Sequence, residues 1–416
     1  MLDGGAGADM LDGGAGRDRL VFRGDPARGV LVDLGSGAAR DAWGFWDRIS
    51  RIEDAEGTRF ADMLLGDGGS NTLWGGAGDD VLDGQGGGDL LAGGSGDDHY
   101  SIRHISDRVV EAADEGQDRV DVWVSGWAVT PGAAVEALHL RVAGRLSGGA
   151  GDDRLIAEAG AAILDGLGGD DHLTGGAGDD LLRGGEGADT LAGGEGADRL
   201  EGGAGDDTYV LATSGDTVVE AVGAGLDHVR AGYGYTLGAN LESLTLTGTA
   251  AINGYGNALA NRIVGNAAGN VIQGLDGADR LEGGAGNDSL SGGAGDDRLL
   301  GGAGADSLSG GTGLDSFVFL TASESSPVTS TRDTIADFLR GSDRIVVSAV
   351  DANQGLLGDQ AFRLDTDRSF SAGEIRQTVT SSGLVLEFNT NADTTVEMAL
   401  LLTGILSPLA ATDFEL

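Results

Sequence analysis

The chain has 416 residues, 79 of them glycine, and a formal charge of −41 from 67 acidic and 26 basic residues, every basic one an arginine. That charge disfavours nucleic acid and anionic membrane surfaces as partners and favours cations, while the absence of cysteine removes disulfides and thiolate metal sites. No apolar run approaches the roughly 18 residues of a membrane span, and Met1-Leu2-Asp3-Gly4-Gly5 lacks the basic and apolar regions of a secretory signal peptide.

Internal periodicity organises the rest. A nine-residue unit, G-G-x-G-x-D-x-U-x with U a large apolar residue, recurs in one frame; one copy is Gly175-Gly176-Ala177-Gly178-Asp179-Asp180-Leu181-Leu182-Arg183. In chain order the repeats occupy 1–21, 57–101, 148–210 and 256–318, separated by spacers at 22–56, 102–147 and 211–255, with a compositionally distinct region at 319–416. The sixth position holds Asp9 and Asp18 in the first block, then Asp62, Asp80, Asp89 and Asp98 in the second. The third has Asp153, Asp171, Asp180, Asp189, Asp198 and Asp207, with a degenerate copy at Ala162. The fourth opens with asparagine (Asn261, Asn270) and continues with Asp279, Asp288, Asp297, Asp306 and Asp315.

Each position has a physical task. Glycines at one, two and four permit φ > 0, so six residues can turn tightly with carbonyls facing inward. The sixth-position carboxylate is a hard oxygen ligand suited to Ca²⁺ beside those carbonyls. Residues seven to nine are expected to form a short strand, with position eight (Leu173, Leu182, Leu191, Leu200, Tyr209) turned inward. Two nonapeptides complete a coil, so strands pair in parallel at about 4.8 Å. Asp171 then approaches Asp189, and Asp180 approaches Asp198. Carboxylates that close repel unless a cation lies between them, so metal binding and folding form one event. The expected fold is all-β: a parallel β-roll or β-helix solenoid with a β-rich C-terminal cap.

These repeats resemble the RTX family, the haemolysin-type calcium-binding repeats of bacterial exported proteins. A linker rich in glycine and aspartate would not keep a large apolar residue at every eighth position.

Residues 102–147 and 211–247 echo one another. Asp107-Arg108-Val109-Val110-Glu111 answers Asp216-Thr217-Val218-Val219-Glu220, and Gln117-Asp118-Arg119-Val120 answers Leu226-Asp227-His228-Val229. Alternating apolar and polar residues mark strands, read as wider coils of the same solenoid. The 22–56 spacer is read likewise, with Val30-Leu31-Val32-Asp33-Leu34 as its strand. Its Trp43, Phe45 and Trp46 are expected to cover the solenoid; stacking on a sugar ring is the alternative. Arg23-Gly24-Asp25 matches an integrin-type tripeptide, which coincidence explains in this composition.

After Phe319 glycine thins out. The stretch TRDTIADFLRGSDRIVVSAVDANQGLLGDQAF (331–362) and the ending Leu409-Ala410-Ala411-Thr412-Asp413-Phe414-Glu415-Leu416 resemble the C-terminal region of serralysin-type proteases. The resemblance implies a cap on the β-roll and an uncleaved type I secretion signal, hence an extracellular protein exported by the type I machinery. Ile335, Phe338, Ile345, Val346 and Val347 suit strands closing the last coil. Asp333, Asp337 and Asp343 read as solvated or turn residues, with a further metal site as the alternative.

No catalytic constellation is visible. None of the five histidines belongs to an H-E-x-x-H zinc motif, no G-x-S-x-G elbow occurs, and a Walker loop cannot exist without lysine. His99 and His172 fall at the outward seventh position. Three readings follow: a calcium-binding module with a structural, matrix or adhesion role and an extracellular glycan or matrix partner; the export and folding module of a larger extracellular enzyme such as a metalloprotease, lipase or alginate epimerase; or a solenoid acting on polysaccharide. The opening in mid-repeat at Met1 favours truncation or an internal start.

Overall fold

The computed structural model describes residues 1–23, 28–112, 115–129, 135–353, 360–391, 393 and 395–416; Gly24 and Asp25 of the tripeptide lie outside them. The described residues form strands and two short 3₁₀ turns, Thr329–Thr331 and Ala411–Asp413. The chain divides into two units, Met1–Val219 and Glu220–Leu416.

In the first unit, strands alternate between two parallel faces. On one, His172–Ala177 pairs with Thr190–Glu195 and then Thr208–Leu211, stacking Leu173, Leu191 and Tyr209 in a column. On the other, Ala162–Gly168, Leu181–Glu186 and Arg199–Ala204 stack Leu164, Leu182 and Leu200. These side chains are at most 1% exposed. Each contributes about 1.5–3 kcal/mol by leaving water. One apolar column per face makes a thin core, which is why one large residue per nonapeptide suffices.

The strands are longer than the repeat suggests. Leu181–Glu186 runs from position seven of one nonapeptide to position three of the next, because position one continues the extended backbone. Positive φ is confined to positions two and four, as at Gly185 (φ 128) and Gly187 (φ 122). The position-one glycine is needed for another reason, given below.

The 22–56 spacer differs from a plain wider coil. Leu31–Asp33, Ala38–Arg40 and Trp46–Ser50 form an antiparallel meander spliced between Met10–Asp12 and Met63–Leu65. Two of its three aromatics point outward, Phe45 at 50% and Trp46 at 55% exposure, while Trp43 is half-buried, so Phe45 and Trp46 do not cover the core. The 102–147 spacer keeps the parallel stacking, pairing His99 with Arg119 and Arg119 with Ala137.

In the second unit, Ile263, Leu281, Leu299, Phe317, Ile345 and Phe414 form one column. Ile272, Leu290, Leu308, Ile335 and Leu402 form the other. The C-terminal region thus extends both columns. It then continues the second column's sheet with an antiparallel run of Met398–Thr403, Gly383–Asn389 and Glu374–Val379. Phe338 is buried 6.1 Å from the Phe317 ring. No helix among the described residues is long and apolar enough to cross a membrane.

Candidate metal centre

The sixth-position aspartates form ladders inside the solenoid wall. The backbone N–H of Asp171 donates to Asp189 Oδ1 at 2.8 Å, and that of Asp180 to Asp198 Oδ1 at 2.9 Å. Asp153 donates to Asp171, and Asp189 to Asp207. The second block repeats this from Asp62 to Asp80 and from Asp80 to Asp98, each at 2.7 Å. The fourth repeats it from Asp279 to Asp297, from Asp288 to Asp306, and from Asp297 to Asp315. Asp89 accepts from Asn71. All of these aspartates are buried. One carboxylate oxygen is therefore committed to the coil before it, except in Asp62, which accepts from the Val30 and Thr58 N–H groups, and Asp153, which accepts from the Gly149 N–H.

The other oxygen is not. Oδ2 of Asp80, Asp89, Asp98, Asp171, Asp180, Asp189, Asp198, Asp279, Asp288, Asp297, Asp306 and Asp315 is buried without a hydrogen-bond partner. These oxygens turn toward the position-one glycine, where the carbonyl of the next coil also points: Asp180 Oδ2 and the Gly193 carbonyl oxygen both border the space that a Cβ on Gly175 would fill. Buried acceptors facing buried acceptors call for a cation, and an all-oxygen donor set suits a hard one. Burial, reinforced by neighbouring carboxylates, pushes Asp80 up to about 8 and Asp171, Asp297 and Asp306 to about 7.

Position one is consequently a steric requirement. A Cβ on Gly184 would overlap Asp189 Oδ2 and lie 2.6 Å from the Gly202 carbonyl oxygen. Gly184→Ala is expected to lower the thermal midpoint by several degrees, about 2 kcal/mol or more. Gly5→Ala, with nothing within 4 Å, should cost only its positive-φ strain, about 1 kcal/mol. Equal midpoints in a melting comparison would contradict this.

The remaining predicted residues differ. Asp9 and Asp18 are only half-buried, and their backbone N–H groups donate to Asp47 and Glu53, acids of the inserted spacer. Asn261 and Asn270 satisfy themselves: each Oδ1 accepts a backbone N–H, and each Nδ2 donates to a carbonyl, of Leu241 and Ile252 respectively. Ala162 keeps the ladder N–H, donated to Asp180 Oδ1.

The ladder also continues past the glycine signature. Asp89 donates to Asp107, Asp98 to Asp118, and Asp198 to Asp216. Asp306 donates to Asp333, and Asp315 to Asp343. Asp333 and Asp343 are 0% and 3% exposed, which corrects their reading as solvated or turn residues; Asp337 is exposed and binds the Gly310 and Gly311 N–H groups. The 18-residue step could have found Asp107 and Asp216. Nothing local marks the others, which sit 20, 27 and 28 residues beyond their partners.

Two family profiles match the chain. The family profile for the RTX calcium-binding nonapeptide repeat (4 copies) matches residues 1–22, 56–100 and several overlapping segments within 144–218. That for the peptidase M10 serralysin C terminal matches 264–416. No curated protein matches. Among solved structures, the chain is 30% identical to the AlgE6R3 subunit of the Azotobacter vinelandii mannuronan C5-epimerase (38% of this chain, 77% of that one, TM-score 0.20). It is 28% identical to the AlgE6R2 subunit of the same enzyme (38% and 88%, TM-score 0.22). It is 17% identical to the extracellular lipase LipA of Serratia marcescens (73% and 45%, TM-score 0.27). The repeats imply calcium binding, and the chain is an RTX calcium-binding repeat protein that ends in a serralysin-type C-terminal region.

Proposed function

We propose that this chain is exported by type I secretion machinery as an unfolded, self-repelling polyanion and folds outside the cell when Ca²⁺ enters the aspartate ladders. Its role there is structural, in a matrix or in adhesion. The observation that carries this reading is the row of buried sixth-position carboxylates whose second oxygens have no partner. On this reading each Ca²⁺ bridges aspartates one coil apart, such as Asp171 with Asp189 and Asp279 with Asp297. Scarce cytosolic Ca²⁺ would leave the chain threadable, and extracellular Ca²⁺ would make folding the last step. The serralysin-type region at 264–416 supports the export route. Exposed Phe45 and Trp46 offer a stacking surface to a matrix glycan.

Equilibrium dialysis of the EDTA-stripped chain against millimolar Ca²⁺ should return several ions per chain, and a chain that takes up none sinks the reading. Co-expressed with a type I exporter, the full chain should appear in the medium, while a variant ending at Phe319 should stay in the cells. The match to a peptidase C-terminal region also favours a second reading, in which the chain is the calcium-binding export module of a larger extracellular enzyme. An in-frame catalytic domain in the DNA upstream of Met1 would decide for it.

A further inference from the structure

The end of the second repeat block carries a site of a different make. Strand Arg108–Val109 stacks on Leu90–Ser95 with Val109 opposite Leu91. Two residues further on, Glu111 therefore stands one coil above Gly93, a position-one glycine, and the Gly93 N–H donates to Glu111 Oε1 at 3.2 Å. The spacer has put a carboxylate where the repeat would put a glycine. Its side chain enters the space that the sixth-position oxygens face.

Two such residues meet it there. Asp98, Glu111 and Asp118 are 1%, 4% and 2% exposed, and one carboxylate oxygen from each lies within 4.8 Å of the other two. Backbone N–H groups hold one oxygen of each aspartate: Asp80 donates to Asp98 Oδ1 and Asp98 to Asp118 Oδ1. Asp98 Oδ2 and Glu111 Oε2 are buried with no partner. None of the ion pairs among the described residues reaches the three acids. Three formal negative charges thus share one buried volume, where an ordinary ladder step brings two. The same three acids recur at identical intervals in the second spacer copy, as Asp207, Glu220 and Asp227 in the sequence.

We propose that Asp98, Glu111 and Asp118 bind one hard divalent cation, Ca²⁺ by their chemistry, at a site distinct from the glycine-repeat sites and tighter than them. The proposal rests on the calcium reading above and adds the spacer glutamate as a ligand. Three carboxylates at one point bind a dication more strongly than two carboxylates with carbonyls, provided the ion is present as the coil closes. The site ties the first irregular coil to the last regular one, where the glycine frame can no longer supply ligands.

The test is Ca²⁺ stoichiometry by equilibrium dialysis on the full chain, with far-UV circular dichroism as the check of folding. Glu111→Gln keeps size and removes charge; Glu111→Gly restores the residue that the register would carry. Each folded variant should hold one Ca²⁺ fewer than the wild type and lose the tightest binding step, with the remaining ions unchanged. Equal stoichiometry and an unaltered tight step overturn the proposal. If the wild type itself binds no Ca²⁺, the general calcium reading falls instead. Should neither variant fold, Eu³⁺ excitation spectra of the wild type decide, since the transition energy tracks the number of bound carboxylates. A three-carboxylate class supports the site, and its absence overturns it.

Discussion

Stripped of Ca²⁺ by EDTA at neutral pH, the chain is expected to lose most of its β-sheet circular dichroism, and to regain it on adding millimolar Ca²⁺. The reason is local and then cumulative. Asp171, Asp180, Asp189 and Asp198 are at most 3% exposed, and each has a second oxygen without a partner. An uncompensated buried charge costs several kcal/mol, more than the one leucine per nonapeptide returns. The cost recurs along the second, third and fourth blocks. The net charge of −41 adds repulsion that compaction would increase. In a solenoid each coil is supported by its neighbours, so a stretch of failed coils removes the support of the rest. A Ca²⁺ titration followed at a β-sheet wavelength should be steep, because filling one step preorganises the next. A spectrum indifferent to Ca²⁺ would contradict the account of the ladders, whatever the ion content.

The second large effect is on pH. Burial, joined by neighbouring carboxylates everywhere but at Asp288, raises Asp80 and Asp333 to about 8, Asp171, Asp297 and Asp306 to about 7, and Asp180, Asp279 and Asp288 to about 6. Each starts from 3.8, so the folded, metal-free form binds more protons than the unfolded chain between about pH 4 and 8. Its stability therefore falls as pH rises through that window and is partly regained on acidification. Ca²⁺ binding to that compact, protonated form runs the other way, because the ion must displace those protons. The EDTA-treated chain should show more β structure near pH 5 than near pH 7.5. Ca²⁺ added to the compact form near pH 5 should release protons, whereas Ca²⁺-coupled folding at pH 7.5, from an unfolded chain whose carboxylates are already ionised, should release few. Calorimetry in buffers of different ionisation enthalpy measures that release. Equal β content at pH 5 and pH 7.5, with no proton release at pH 5, would mean that the sixth-position carboxylates are already ionised in the metal-free fold.

Position eight and position six were legible because they are periodic. Leu182 and Leu200 share a frame that also places Asp180 and Asp198, so one regular step sets both the core column and the acid ladder. The glycine at position one was legible as glycine but not in its cause. Its φ is ordinary, and only the stacked coil shows that Asp189 and the Gly202 carbonyl occupy the space a Cβ at Gly184 would need.

By itself, then, the sequence determined the solenoid, its parallel two-sided core, the Asp ladders within the repeats and the family to which the chain belongs. All of these follow from residues repeating at a constant interval, where what one coil does every coil does. Tertiary structure alone decided what happens where the interval breaks. It spliced an antiparallel meander at Leu31–Ser50, turned Phe45 and Trp46 outward, and returned Asp118, Asp333 and Asp343 to the ladder. It also set Glu111 above Gly93. These placements depend on how irregular loops close onto the previous coil, which is a matter of register across space and leaves no period in the chain to read.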